Sequence, residues 1–514
     1  MTQNLPQILS KSRLLAYRQC PKRLWLTVNA PQLIENSPTT QASYAAGHRL
    51  GEVARDIFKS NGRAHTFDVM GDGVPAVIAE TLRMISATGT KLRKRATLFK
   101  AGFEAAGVRA FVDVLQPVRG PEDLPPRWGI VEVKSGGEVK DVYFEDAAIQ
   151  YYVAIEAGHE LDCIAIAHVD TSWTYEGDEQ YDGLLKVVDA THEIQGLVQA
   201  VPSWVAGAQA VLRKRAAPTR KIGAHCTDPY PCGFLAHCQS SEPVVEHPVQ
   251  WLPRVSTKAL REHLQKPQVR SMQDVPDDLL NKSQVRVKHV TLTGSAYVGK
   301  KGLAKALLVH GRPCFFLDFE TTSGVVPRWA GTRAYQAVPF QFSLHRAGPR
   351  GGVRHIDFLD TSGNDPRLPL AKALVAACGT SGVVFAYNSG FESRCLRLLA
   401  DYALGEARKP RLARSLLAIR ERLVDLHPVM RKYYYHPSQQ GSWSLKAIVP
   451  ALLPALSYDS LNGVQNGGDA QSAYLEAIDY GTTAVRKKEL RKQLIRYCTR
   501  DTLALVEIWR KFSA

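Results

Sequence analysis

Glu132 and Lys134 stand two positions apart in the strand-like segment GIVEVKS, and Asp113 precedes them in VRAFVDVL. Alternate residues of a strand project to one face, so the Glu132 carboxylate and the Lys134 ammonium point together toward whatever Asp113 faces. Two acids and a lysine suit phosphodiester hydrolysis. In such a site Asp113 and Glu132 would hold Mg²⁺ or Mn²⁺, while Lys134 would stabilise the attacking hydroxide or the charged transition state. The alternative is a row of solvated side chains on the polar face of a hairpin. A second acidic set lies toward the C-terminus, where the apolar strand CFFLDFETT ends in Asp318 and Glu320, again on one face. Buried like charges repel strongly unless a cation compensates them. Glu392 follows the strand VVFAY, and Tyr497 and Asp501 are one helical turn apart on the last helix, so both reach the same cleft. Asp425 in LVDLHP is a further acid that could replace Glu392 or simply cap a helix.

Nine cysteines in a long chain without a secretory signal point to thiolate ligation rather than to disulfides. Cys163, Cys314, Cys378, Cys395 and Cys498 have apolar neighbours and read as small buried hydrophobes. Cys226, Cys232 and Cys238 are closely spaced, and Cys20 stands alone near the start. Three clustered thiols and one remote one supply the ligands of a [4Fe-4S] cluster that would clasp the domain shut. Zinc is the alternative, although zinc sites more often use cysteine pairs two to four residues apart.

A chain of 514 residues exceeds one hydrophobic core, and its pattern divides in three. Residues 1–240 read as mixed α/β: two early helical patterns, the β-rich TLFKAGFEAAGVRAFVDVL and WGIVEVKSG, the apolar helix DAAIQYYVAIEAG and the strand LDCIAIAHVD. Residues 241–310 are polar and punctuated by proline, and read as a connector with no chemistry of its own. Residues 311–514 form a second α/β pattern that ends on the helix RKKELRKQLIRYCTRDTLALVEIWRKF. The stretch GSAYVGKK approaches P-loop spacing but puts Lys301 where Ser or Thr must hold Mg²⁺. No ATPase is expected, so any helicase would be a separate protein.

Lys and Arg outnumber Asp and Glu by 65 to 49, a net charge of +16 that favours polyanions, nucleic acid first and an anionic membrane surface second. The basic runs at 91–95, 213–215 and 486–488 add to that sum. No apolar stretch nears the ~20 residues that span a bilayer. The first residues lack the apolar core of a signal peptide, so the expected location is cytoplasmic.

The Asp113…Glu132-Val-Lys134 arrangement resembles the PD-(D/E)XK restriction-endonuclease-like core. Combined with Cys20, Cys226, Cys232 and Cys238, it resembles the RecB-like iron-sulfur nucleases found beside CRISPR systems and in AddB-type helicase-nucleases, over roughly residues 10–240. This resemblance implies that Gln150 faces the site and contacts DNA or a water. The tyrosine that such nucleases carry four residues later is Ala154 here, and the histidine they place four residues after an early glycine is Gly51, so His48 reads as a surface residue. FLDFETT, NSGFE and YCTRD resemble, in order, the three exonuclease motifs of the RNase H-like DEDD superfamily, with the tyrosine form of the third. That resemblance implies two divalent ions held among Asp318, Glu320, Glu392 and Asp501, with Tyr497 orienting water. Glu392 stands where the superfamily usually has Asp. SKSRLLAYRQCPKRLWL, PYPCGFLAHC and FLDFETT together resemble the domain-of-unknown-function family 2779 over nearly the whole chain.

The expectation is an α/β exodeoxyribonuclease with two active centres, processing single-stranded or duplex DNA ends in repair, recombination or defence. Two alternatives stay open. In one, only the DEDD half cuts, on RNA or DNA, and the RecB-like half binds. In the other, the chain is a non-catalytic nucleic-acid scaffold.

Overall fold

The computed structural model describes residues 8–35, 38–59, 63–86, 96–118, 127–308, 310–348 and 352–513. The basic run at 91–95 lies outside them. The chain is mixed α/β and divides into two compact units, one of residues 1–243 and 324–335, the other of residues 244–323 and 336–514. Among the described residues no helix is long and apolar enough to cross a membrane.

In unit one a seven-stranded sheet contains β1 (Leu9–Ser10), β2 (Ala64–Thr66), β3 (Thr97–Ala105), β4 (Val108–Val118), β5 (Arg127–Lys134), β6 (Leu161–Val169) and β7 (Leu185–Asp189). The order runs β2-β3-β4-β5-β6-β7, with β1 parallel to the start of β4. Strands β3, β4 and β5 pair antiparallel, whereas β5 and β6 are parallel and need a crossover, which the helix Asp141–Glu156 supplies. That helix is alanine-rich on its inner face, where Ala147, Ala148 and Ala154 let it lie close to the sheet. Its Ile149 and Val153 join a core with Leu24, Val112, Ile130, Ile166 and Trp204. The segment 324–335 returns to unit one, where Val325 and Ala334 pack with Leu50, Val53, Val169 and Leu184.

Unit two contains β8 (Tyr297–Val298), β9 (Cys314–Thr322), β10 (Val338–Ala347), β11 (Val353–Leu359), β12 (Val383–Ala386), β13 (Leu423–Asp425) and β14 (Tyr434–Tyr435). Its main sheet has the order β11-β10-β9-β12-β13, with the first three strands antiparallel and β9, β12 and β13 parallel. The central strand β9 is apolar on both faces because both are covered. Phe315, Leu317 and Phe319 join Leu370, Leu396 and Leu416 on one side. Cys314 and Phe316 join Leu505, Val506 and Trp509 of the long helix Ala484–Ser513 on the other. From Val244 onward the residues read as a connector lie within this second unit, where Leu260, Met272, Val287 and Val290 belong to the same core as the long helix's Leu505 and Trp509.

Candidate active sites

In unit one, the pairing of Val114 with Val131 sets Asp113 across from Glu132, and the Val133 amide donates to Asp113 Oδ2 at 3.0 Å. Strand alternation brings Lys134 to the same face, where its Nζ reaches Glu132 Oε1 at 2.7 Å and also binds Asp146 Oδ2. Two lysines that sequence patterning passes over complete the group. Lys11 Nζ lies 3.0 Å from Glu132 Oε1 and 2.9 Å from Asp146 Oδ1, and Lys100 Nζ lies 2.5 Å from Asp113 Oδ1. Lys100 adopts a left-handed backbone (φ 61°) in the middle of β3, a conformation that costs a non-glycine residue about 1 kcal/mol. Gln150 is fully buried and donates to Asp146 Oδ1 at 2.9 Å, so it holds that carboxylate from behind. His48 is exposed. Asp113, Lys100, Lys134, Tyr143 and Tyr230 line a cleft of about 190 Å³.

Three ammonium groups thus face three carboxylates, and the cluster is neutral without any metal. Burial opposes charge on Asp113 and Glu132, yet the surrounding lysines win and hold both below the usual carboxylate range. Lys134→Ala would leave Glu132 and Asp146 to share the Lys11 ammonium, with Gln150 still donating to Asp146. Removing one partner from such buried pairs is expected to cost about 3–5 kcal/mol, and Asp146→Asn added to Lys134→Ala should return much of it. Thermal unfolding of both proteins checks this, and a Lys134→Ala protein as stable as its parent would refute the buried network.

Unit two shows the opposite balance. Asp318 and Glu320 project from β9 toward the long helix, as Cys314 and Phe316 do. That helix presents Tyr497, Cys498 and Asp501, and Cys498 Sγ donates to Asp318 Oδ2 at 3.4 Å. The parallel pairing of Phe385 with Phe316 carries the chain after β12 to the level of Asp318. There Asn388, at φ 64°, turns into the helix Gly390–Leu404, whose first turn holds Glu392, only 2% exposed. Glu392 Oε2 is buried without a hydrogen-bond partner. Asp318, Glu320 and Cys498 offer ligand atoms all within 4.8 Å of one another. Asp425 is otherwise engaged, because its Oδ1 accepts from the Asn388 and His427 amides at 2.9 Å and caps the next helix.

The cations bearing on these four carboxylates, Lys446 and Arg500, are outnumbered. Burial raises the pKa of all four, and repulsion adds to it at three: Asp318 sits well above the usual range, and Glu320 and Glu392 are pushed up to about 8. At Asp501, burial is partly offset by hydrogen bonds from Tyr458 and Tyr497, and the value is raised to about 6. Tyr458 is a residue that motif reading missed as part of the site, and Lys446 joins it there. The Tyr458 hydroxyl donates to Asp501 Oδ1, and Lys446 Nζ lies 5.6 Å from the Tyr458 ring and 5.5 Å from the Tyr497 ring. The aromatics upstream of Lys446 are structural: Tyr434, Tyr435 and Trp443 are buried in the core. In the run at 486–488, Arg486 is taken by Glu476 and Glu489.

Cys20, Cys226, Cys232 and Cys238 line one pocket of unit one with Leu26 and Phe234. Cys20 joins the helices Lys11–Gln19 and Pro21–Asn29, and the Gln19 amide binds the carbonyls of His225 and Tyr230 at 2.8 and 2.7 Å.

The family described as Domain of unknown function (DUF2779) matches residues 315–444, a span that includes Asp318, Glu320 and Glu392. No curated protein matches the chain.

Proposed function

We propose that the chain is a metal-dependent nuclease whose principal hydrolytic centre lies in unit two. One observation carries the reading: Asp318, Glu320, Glu392 and Asp501 are packed together with too few cations to neutralise them, and Glu392 Oε2 has no partner. Such a donor set, all oxygen apart from Cys498, fits Mg²⁺ or Mn²⁺. Divalent ions bound there would supply the Lewis acidity and charge neutralisation that phosphodiester hydrolysis needs. Asp318 and Glu320 would hold them from β9, Glu392 and Asp501 from the flanking helices. Burial and the surrounding acids keep Tyr497 protonated, and with that proton donated to Asp501 its oxygen is left to accept from a water and orient it. Tyr458 fixes the Asp501 carboxylate. The strand order, three antiparallel and two parallel, supports an RNase H-like DEDD architecture.

The same reading makes unit one a RecB-like PD-(D/E)XK domain, with a [4Fe-4S] cluster on Cys20, Cys226, Cys232 and Cys238. The apolar pocket, rimmed by Lys22, Arg23, Arg220 and Lys221, suits a cluster whose thiolates leave it anionic. A second reading, in which unit one binds rather than cuts, is favoured by the three lysines that already neutralise Asp113, Glu132 and Asp146.

End-labelled single-stranded DNA, duplex DNA and RNA, each with Mg²⁺ or Mn²⁺, test the reading. Stepwise 3′ to 5′ shortening is expected. Glu392→Gln should lose most of it and Glu392→Asp keep it, while Tyr497→Phe slows it on the order of 100-fold. Asp425→Asn should retain the activity, since Asp425 is a cap. No shortening of any substrate from either end would sink the proposal.

A further inference from the structure

Strand β13 ends at Asp425, paired with Ala386 at the end of β12, and the helix Leu426–Tyr433 starts beside the carboxylate centre. This helix delivers Arg431 and Lys432 to one wall of a groove of about 460 Å³, and Arg254, Lys282 and Arg286 form the other. The second wall comes from the stretch to which sequence reading gave no chemistry. Arg286 ties the walls together: its Nη1 donates to the Arg431 and Lys432 carbonyls at 3.2 and 2.7 Å, and its guanidinium lies 4.2 Å above the Tyr297 ring.

The remaining four cations form no ion pair with any described carboxylate. Two acids near them in sequence are engaged elsewhere, Glu262 with Lys258 and Asp277 with Lys288. Burial and the nearby Arg254 guanidinium lower the pKa of Arg431, as befits a cation facing a cation. Cations held together without acids are stabilised by a polyanion. The groove is concave and Pro428 is its one apolar lining residue, so it offers nothing to insert into a lipid surface.

We infer that this groove carries the sugar-phosphate backbone of a nucleic acid to the carboxylate centre. The inference takes its ligand class from the nuclease reading but concerns binding alone. Arg254, Lys282 and Arg431 each contact a backbone phosphate, and Lys432 flanks them.

The test is the salt dependence of binding by the full chain in EDTA, where nothing is cut and the result does not depend on whether the centre is active. Fluorescence anisotropy with labelled 20-nucleotide DNA and RNA strands would be measured across a KCl series. The triple variant Arg254→Gln/Lys282→Gln/Arg431→Gln is expected to bind about 10-fold or more weakly near physiological salt. Its slope of log K against log[KCl] should shrink by about 2, at ~0.7 per lost phosphate contact on a single strand. Lys300→Gln/Lys301→Gln/Lys305→Gln removes the same charge from the exposed face of a helix outside the groove and should change affinity less than about 2-fold. An unchanged slope in the groove variant, or an equal loss in the control, overturns the inference. So does a groove variant that loses binding to phosphatidylserine-containing vesicles but keeps its oligonucleotide affinity.

Discussion

Asp318→Asn is expected to end metal-dependent hydrolysis by unit two and, at the same time, to make the metal-free protein more stable at neutral pH. Four carboxylates share the site, and their folded pKa values lie above ordinary ones, about 6 at Asp501 and about 8 at Glu320 and Glu392. Between the unfolded value of roughly 4 and those folded values, the folded state therefore binds more protons than the unfolded state. The stability that protonation confers is fully present below about pH 4 and is lost as pH rises through the folded values. Metal-free parent protein should thus melt lower at pH 8 than Asp318→Asn does, with the gap closing toward pH 5. At about 2–4 °C per kcal/mol for a unit of this size, the difference is readable by calorimetry. Mn²⁺ should restore the parent most at pH 8, because binding requires ionised carboxylates, and should raise Asp318→Asn much less. A metal-free parent that melts above Asp318→Asn at pH 8 would show that the acids are already compensated.

The second large effect is expected at Cys20. Anaerobically purified protein should contain about four irons per chain and absorb broadly near about 400 nm. Cys20→Ser should lose the iron and loosen unit one as a whole. Cys20 links two helices whose Leu14, Leu24 and Leu26 are buried, and it is the only one of the four thiols from the start of the chain. Releasing a clasp across so long a loop costs about 5 kcal/mol by analogy with a disulfide. Cys163→Ser should keep both iron and stability, since Cys163 is not among the thiols lining the pocket. About one zinc per chain and no iron would defeat the cluster assignment.

Asp318 and Glu320 are legible in the sequence because two acids on one face of an otherwise apolar strand demand a compensating cation. Glu132 and Lys134 are legible through the same alternation. Asp146 carries a fainter signal: it precedes Gln150 by one helical turn, so a helix that points inward at Gln150 points inward at Asp146 too. Lys11 carries none, because it meets its acids only through helix docking distant in sequence, whereas Lys100 faces Asp113 across the β3–β4 hairpin and its signal is the register of that hairpin. Tyr458 sits in an irregular stretch without periodicity, and no local pattern ties it to Asp501. The residues after Val244 read as a connector because their apolar positions are sparse. In the folded chain that sparse set suffices, since it joins the core of unit two. The returning segment 324–335 lies between β9 and β10, and its Val325, Val326 and Trp329 are unusually apolar for a connection.

That returning segment bears on how the chain folds as it is made. Unit one leaves Leu50, Val53, Val169 and Leu184 without their covering residues Val325 and Ala334 until about ninety residues after Pro243 have been synthesised. At translation rates of about 5–20 residues per second, this is a delay of roughly 5–20 seconds. The N-terminal unit therefore cannot close in simple vectorial order on the ribosome, and a gene split at the apparent boundary near residue 243 would yield a first product with an uncovered apolar patch.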